Sequence, residues 1–401
     1  MDNWLTPNTR HDENIVMGID IGSTKVSVMI CELTGTDEFE ILGIGTSVTS
    51  GLSKGQIMAL PELVKTIERA IKRAQLSAGI NPVYCVINCP QHGVTYQRER
   101  GEATIQADSR VIKEKDIQGL LKKTKEAAAL PNKTVLHLLA SSYSLDGTPV
   151  INPVGRIGSF LESEALIVQG ETQTVKQLIA CIKTLDCQLK GIVIDGLALG
   201  EIVLTQQNRE KGALIIDIGG QFTKLNGFYD GHLQWGHVFP IGGATITKDI
   251  AQCLKVTIPE AERLKIIYGD ACLANCSPTE TIQIVTHQGK QTIKRRYLCQ
   301  IIEARIDELL KLIRKEIGDM FPTFTDVQIT GGGGLLNGLK QVISQRWDKQ
   351  ILDRKNGPYQ HKVNGITYDT ALGAILYARK KEAIGYFKPN KSQIIQQFFK
   401  F

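Results

Sequence analysis

Two stretches, one in each half of the chain, carry the residues best suited to chemistry. Met17-Gly18-Ile19-Asp20-Ile21-Gly22-Ser23-Thr24-Lys25 and Ile216-Asp217-Ile218-Gly219-Gly220-Gln221-Phe222-Thr223 share one pattern. In each, a β-branched run delivers an Asp near its end. Glycines then turn the chain so that backbone N–H groups and a hydroxyl converge on one spot, which is how a phosphate is held. The first copy continues as Val26-Ser27-Val28-Met29-Ile30 and the second as Lys224-Leu225-Asn226-Gly227-Phe228, so each reads as strand, turn and antiparallel strand with no helix after it. A P-loop or a dinucleotide fingerprint would open a helix, and neither motif is present. Two such hairpins facing each other can hold the phosphate tail of a nucleotide between duplicated halves; either alone reads as well as an ordinary hairpin.

The elements that position these hairpins follow from pattern. In the first half, Phe39 to Val48 continues the sheet, Leu60-Pro61-Glu62 opens a helix with Leu63, Ile67, Ile71 and Ala74 on one face, and Val83 to Asn88 returns to the sheet. From His92 the texture changes to short polar strands around Val94–Tyr96 and Ala103–Ile105, a charged helix from Ile112, and the Asp146-Gly147 turn. This block reads as an α+β insertion. The earlier pattern resumes with a strand over Glu164–Gln169, a helix from Glu171 to Leu185, a strand from Gly191 to Asp195 and a helix from Leu197 to Gln206.

The second half repeats the plan, with a helix from Ala244 to Cys253, a helix start at Ile258-Pro259 that sets Glu262 and Lys265 on one face, and a polar hairpin from Ser277 to Lys294. A long helix from Tyr297 to Met320 carries an apolar stripe. The strand Asp326–Thr330 ends in Gly331-Gly332-Gly333-Gly334 before a helix at Leu335, so backbone at Gly332 to Gly334 can approach a planar ligand closely. Tyr368 to Tyr377 is expected as the last core helix.

At 401 residues the chain exceeds what a single core supports, and 42% apolar with 22% charged residues describes an ordinary globular protein. The net charge of +6 is mild, and the basic run Lys290 to Arg296 reads first as a solvated edge, with a binding patch for acidic partners as the alternative; no nucleic-acid partner is expected. Nine cysteines without a framework indicate reduced thiols in a cytoplasmic chain, and Cys85, Cys89 and His92 lack a fourth partner at zinc spacing. No run approaches the ~20 apolar residues of a spanning helix, so a chain neither secreted nor transmembrane is expected.

Together the Asp-Ile-Gly hairpins, the Glu262/Lys265 helix and the glycine run resemble the ATPase core of actin, sugar kinases and heat-shock chaperones. Within that superfamily the chain is most similar to the bacterial cell-division family FtsA. Asp116-Ile117, Val135-Leu136-His137, Tyr143 to Gly147 and Asn152-Pro153-Val154-Gly155 run in the order of that family's own inserted subdomain. The resemblance implies an α/β, actin-like fold of duplicated ribonuclease-H-type domains around a nucleotide cleft. Its parts would be a leader (1–14), a first subdomain (15–92 and 168–204), the insertion (93–167), a second core subdomain (205–244 and 323–384), a distal subdomain (245–322) and a linker with a membrane-targeting helix (385–401).

It also implies roles. Gly22, Ser23, Thr24 and Lys25 would hold phosphates from the first hairpin, and Gly219, Gly220, Gln221 and Thr223 from the second. Asp20 and Asp217 would meet magnesium through water, since that ion keeps much of its hydration shell. Glu262 and Lys265 would touch ribose and adenine, Gly332, Gly333 and Gly334 would pack on the adenosine of ATP, and Asp195 would orient an attacking water. The implied partners are the FtsZ C-terminal tail on residues 245–322, other copies of the chain, an anionic membrane and later division proteins. The implied location is the cytoplasmic face of the inner membrane at the division site. The alternatives are a sugar-kinase-like phosphotransferase and a pilus-assembly ATP-binding protein.

Departures bear on mechanism. Where the family has a third glycine, the hydroxyl that follows it and a downstream Asp, this chain has Gln221, Phe222 and Lys224. Fewer donors placed for a transition state leave ATP binding with weak or absent hydrolysis.

At the C-terminus, Ser392 can cap a short helix with Ile394, Ile395, Phe398 and Phe399 on one face, Phe401 beyond, and Lys391 and Lys400 flanking. A helix this short needs a surface to fold against. On pattern alone that is either the chain's own core or a bilayer; the resemblance implies the bilayer. Removing residues 388–401 is expected to abolish sedimentation with anionic vesicles, and undiminished sedimentation would contradict the membrane role.

Overall fold

The computed structural model describes residues 8–10, 13–35, 38–105, 111–353 and 366–383. The tail positions Lys391, Ile394, Ile395, Phe398, Phe399, Lys400 and Phe401 lie outside them. A strand precedes Ile15: Asn8–Arg10 (β1) runs parallel to Ile80–Pro82 in a two-stranded sheet of its own.

The first half is built from Ile15–Ile21 (β2), Lys25–Leu33 (β3), Phe39–Val48 (β4), a minimal hairpin of Leu52–Ser53 (β5) and Gln56–Ile57 (β6), the helix Leu60–Ala78 (α1), Ile80–Pro82 (β7) and Tyr84–Asn88 (β8). Pro61 sits in the first turn of α1, where its missing N–H costs nothing, and Gly79 stops the helix at φ 70 with its N–H on the Gln75 carbonyl. The apolar stripe of α1 lies on β4, where Gly45 leaves no side chain between strand and helix; a Cβ there would stand 2.2 Å from the Ala70 carbonyl.

The insertion follows. The two short strands expected near 95 and 104 are one ten-residue strand, Thr95–Thr104 (β9), continuous because it pairs along its length with a long partner. Glu114–Ala127 (α2), Lys133–Leu145 (β10), Thr148–Val150 (β11) and Phe160–Glu171 (β12) complete a sheet of order β11-β10-β12-β9 with its own small core around Ile112, Ile117, Leu120 and Leu161. The first half then closes with Thr172–Lys183 (α3), Gln188–Val193 (β13) and Asp195–Val203 (α4), giving a sheet of order β13-β8-β2-β3-β4. Asp195 is therefore the first residue of a helix, not the last of a strand.

The helix expected over 197–206 is divided, because Leu204 and Thr205 are extended and the Thr205 hydroxyl caps Gln206–Lys211 (α5). Ala213–Ile218 (β14), Thr223–Tyr229 (β15) and His232–Phe239 (β16) come next. The distal part is Gly243–Leu254 (α6), Ile258–Tyr268 (α7), Thr281–Thr286 (β17), Gly289–Lys294 (β18) and Arg295–Ile317 (α8). Asp326–Thr330 (β19), Leu339–Trp347 (α9), Gln350–Ile351 (β20) and Asp369–Ala383 (α10) finish the described chain. The second large sheet has the order β16-β15-β14-β19-β20. Read from β4 to β13 and from β16 to β20, the two sheets share one topology: an antiparallel meander of three strands, then two parallel ones. The structure thus shows the duplicated, actin-like α/β fold, with the insertion after the fourth strand of the first half. No described helix is long and apolar enough to cross a membrane.

The halves are joined by crossing helices. α10, from the second half, lies on β2 of the first, and α4, from the first, lies on β15 of the second. Contact is so close that a Cβ on Gly373 would stand 2.0 Å from the Ala198 carbonyl, and one on Gly196 would stand 1.9 Å from Asn226 Oδ1. Gly373→Ala is expected to cost roughly 2 kcal/mol or more by forcing backbone apart, read as a lower urea midpoint. Gly119→Ala, on an open face of α2 with nothing within 4 Å, should be neutral or stabilising by up to about 1 kcal/mol. Equal effects of the two changes would contradict this account of the crossing.

Candidate functional site

Between the two sheets lies a cleft of about 600 Å³, a size typical of cofactor sites. Its floor is made by the two Asp-Gly hairpins, whose turns close alike. Gly22 N–H donates to the Lys25 carbonyl at 3.1 Å, and Gly219 N–H donates to that of Phe222 at 2.8 Å. The Thr49 hydroxyl fastens the first turn through Gly22 O at 2.7 Å. The second is fastened by the start of α6, where Gly243 and Ala244 donate to the carbonyls of Gly219 and Gly220. The turns also touch: a Cβ on Gly220 would stand 2.4 Å from Thr24 Cγ2 and 3.1 Å from Ser23 Oγ. Glycine at 220 is what lets the two hairpins meet.

At the phosphate end the charges form one network. Asn88, at the end of β8, donates to Asp20 Oδ1 at 2.7 Å and Asp195 Oδ1 at 2.9 Å, while its own oxygen accepts from Ile21 N–H at 2.7 Å. Lys224 Nζ donates to Asp217 Oδ2 at 2.7 Å and to Asp195 Oδ2. Burial alone would pull the Lys224 ammonium down, but the Asp195 and Asp217 carboxylates more than reverse this and keep it charged. Asp20 carries the cost of the crowding. Desolvation first, and the Asp195 carboxylate next, push it up to about 7.

Magnesium binds through carboxylate oxygens or the waters they hold, in near-octahedral geometry. Both Asp195 oxygens and the Oδ2 of Asp217 are already engaged by an amide and an ammonium. Among the described residues no group of three or more His, Cys, Asp or Glu side chains is arranged to hold a metal ion. The position between Asp195 and Asp217 therefore does not fit a magnesium ion while Lys224 stays where it is, which leaves only Asp20 Oδ2 and Asp217 Oδ1 outside these bonds. The same bonds occupy both oxygens of Asp195, the residue expected to orient water.

The far end of the cleft suits a base and sugar. Glu262 and Lys265, one turn apart on α7, are bonded to each other at 2.7 Å, and Lys265 Nζ also donates to Thr247 Oγ1 at 2.8 Å and Gly243 O at 3.1 Å. The Thr247 hydroxyl donates to Glu262 as well. Ile266 and Leu335 line the cleft with 66% and 69% exposure, apolar walls of the kind a planar ring covers.

Of the sequence-predicted residues, Asp20, Gly22, Ser23, Thr24, Lys25, Asp195, Asp217, Gly219, Gly220, Glu262, Lys265, Gly332 and Gly333 line the cleft. Thr223, Gln221 and Gly334 do not. Thr223 is fully buried and gives its hydroxyl to the Ile241 carbonyl at 2.7 Å, because alternate residues of a strand face opposite ways and Lys224 takes the cleft side. Gly334 packs toward Ile329 Cγ2. The helix expected at Leu335 is preceded by a 3-10 turn, Gly332–Leu335, and begins at Leu339. Of the run's last three glycines only Gly332 has open space where a Cβ would be; Gly333 is required by Ile218 beside it. Sequence reasoning missed Asn88, whose signal is an amide ending a buried strand, and Gly331, which at φ 80 packs on Asp217 Oδ1 and Ile218 O. It also missed Ile266 and Leu335. Phe222 reaches across the cleft, with its Cε2 3.1 Å from where a Gly55 Cβ would stand.

A family model described as "Cell division protein FtsA" matches residues 214–373, and one described as "SHS2 domain inserted in FTSA" matches residues 92–169. The chain is similar to cell division protein FtsA of Borreliella burgdorferi, 28% identical with 95% of each chain covered. It is also similar to FtsA of Pseudomonas aeruginosa, 28% identical over 92% of this chain and 91% of that one, and of Escherichia coli, 26% identical over 93% and 92%. Among solved structures it resembles a chain of the PilM-PilN type IV pilus biogenesis complex (TM-score 0.66, 14% identical, 91% of this chain and 98% of that one). It also resembles MreB5 of Spiroplasma citri bound to AMPPNP (TM-score 0.58, 11% identical, 93% and 99%).

The state of Asp20 gives a measurable consequence. A carboxyl raised above its unfolded value contributes stability that is complete below about pH 4 and is lost as pH rises through 7. Asp20→Asn keeps an oxygen for Asn88 without the charge. It is expected to raise stability at pH 8 by about 1–3 kcal/mol, with the gain gone near pH 4. A gain independent of pH, in melts across that range, would contradict the assignment.

Proposed function

We propose that this chain, which belongs to the FtsA family of cell-division proteins, holds ATP in the cleft between its duplicated halves and works as an ATP-dependent scaffold. It assembles with its own copies on the cytoplasmic face of the inner membrane at the division site. There it ties FtsZ filaments to the bilayer through its C-terminal helix and recruits later division proteins. Its fold is that of the actin-like proteins, and its relatives along more than nine-tenths of its length are division proteins.

One observation carries the nucleotide reading: the two Asp-Gly turns meet tip to tip at one end of a cleft whose other end has apolar walls. Gly22 and Gly219 spend their N–H groups inside the turns, so a phosphate chain would lie over the other N–H groups and the hydroxyls of the turns, and a base over the apolar end. The MreB5 relative in fold is bound to AMPPNP, which supports the same use here. Weak turnover is supported by Asp195, whose two oxygens are taken by Asn88 and Lys224 and so are poorly placed to accept a proton from water.

For the FtsZ tail, the distal part of the second half offers exposed Ile258, Ile267, Val285 and Tyr297 with exposed Lys290 and Lys294. The other two cations of that basic run are spent internally, Arg295 on Tyr268 O and Glu280, and Arg296 on the Leu273 and Cys276 carbonyls.

Two measurements test the reading. A fluorescent ATP analogue is expected to bind saturably while steady-state hydrolysis runs at least about a hundredfold below the roughly 10 s⁻¹ of ordinary enzymes. Brisk turnover would contradict the scaffold role, and failure to bind would contradict the nucleotide role. In sedimentation with FtsZ, Lys290→Glu combined with Lys294→Glu should lower the bound fraction by about threefold to tenfold at low salt and less at high salt. An unchanged fraction would place the tail elsewhere.

A further inference from the structure

We propose that Lys224 is a resident cation that stands in for a divalent metal at the phosphate end of the cleft, so that the nucleotide binds without magnesium. This rests on the reading of the cleft as an ATP site.

The register of the two hairpins shows how the chain places it. In the first, Asp20 pairs across the strands with Ser27; in the second, Asp217 pairs at the same position with Lys224. Directly paired residues of an antiparallel ladder present their side chains on the same face. The side chain thus leaves the strand on the carboxylate side of the cleft, within reach of both partners. It reaches Asp217 from its own hairpin and Asp195 from the start of α4 in the other half, with the side chain 15% exposed.

A divalent ion in a site of this kind supplies positive charge between carboxylates and phosphates. Here that charge is covalently attached. Displacing it for a metal would bring two cations together or send Lys224 away from both partners, leaving carboxylates unpaired in a buried place, which is the costly way to open an ion pair. The phosphates are not left without cations. Lys25, on the first hairpin, lines the same cleft and donates to Thr367 Oγ1 at 2.9 Å, so each hairpin contributes an ammonium to the cleft. Both are donors to phosphate oxygens of the kind that lysine supplies elsewhere.

The experiment has an arm with nucleotide and an arm without. With a fluorescent ATP analogue, the native chain should change affinity by less than about threefold between millimolar magnesium and EDTA, whereas Lys224→Asp should lose about thirtyfold or more in EDTA. A native chain that loses as much in EDTA as the variant overturns the proposal. If the native chain binds no nucleotide in either buffer, the ATP reading fails, and the resident cation is judged on the second arm alone. There, the melting temperature of the nucleotide-free native chain should not respond to millimolar magnesium, while Lys224→Met should melt lower at neutral pH and recover with magnesium. A native chain that magnesium stabilises, or a variant that magnesium leaves unchanged, overturns it. Should Lys224→Met not fold, paramagnetic resonance of manganese titrated into the native chain decides: an unchanged signal of the hydrated ion supports the proposal, and stoichiometric loss of that signal contradicts it.

Discussion

The ammonium of Lys224, held between Asp217 and Asp195, is the interaction on which the cleft depends. Asp217 and Lys224 belong to the second half and Asp195 to the first, so a single ammonium bridges the two carboxylates that the duplication brings face to face, offsets one of their charges and ties the halves together. Buried Asp195 and Asp217 converge there beside half-buried Asp20, and without a cation their mutual repulsion would open the floor on which phosphates are to lie. With it, Asn88 can bridge the remaining oxygens of Asp20 and Asp195. What is left at the floor is backbone N–H, two small hydroxyls and a pair of ammonium groups, a surface suited to hold an anion rather than to activate water.

The rest of the molecule makes that convergence possible. Two sheets of one topology meet through crossing helices packed on glycine, and each half carries its extra material at a different point. The first half interrupts the chain between its fourth strand and α3, which puts β9 against β16 of the other half, where Tyr96 lies over Gly236 and Arg98 donates to the Tyr229 hydroxyl at 2.9 Å. The second half places its distal part after β16, and α7 from that part walls the base end with Ile266. The insertions thus brace the halves and finish the cleft, while the duplicated cores supply its floor.

Much of this was legible in the sequence because it is local. A β-branched run ending in Asp and glycine specifies a hairpin by its own chemistry, and counting back from the turn pairs Asp217 with Lys224. The helices were legible from apolar spacing with Pro61 and Pro259 as starts. What was not legible depends on pairing between distant strands. Asn88 matters only because β8 runs parallel to β2, and Asp195 had the look of a strand end until α4 was seen to begin there. Thr223 was misjudged for a physical reason that alternation gives afterwards: a hydroxyl next to a cleft-facing lysine must point the other way. Gly332, Gly333 and Gly334 were all assigned to the ligand, yet Gly333 is glycine because Ile218 stands against it.

The most direct measurement of the central claim is a crystal structure of the chain with an ATP analogue grown in manganese, with the ion located by its anomalous scattering. The account predicts that Lys224 Nζ stays between Asp195 and Asp217 and that no manganese lies within about 2.5 Å of either carboxylate. A manganese peak bound to Asp217 or Asp195, with Lys224 turned out of the cleft, would contradict it.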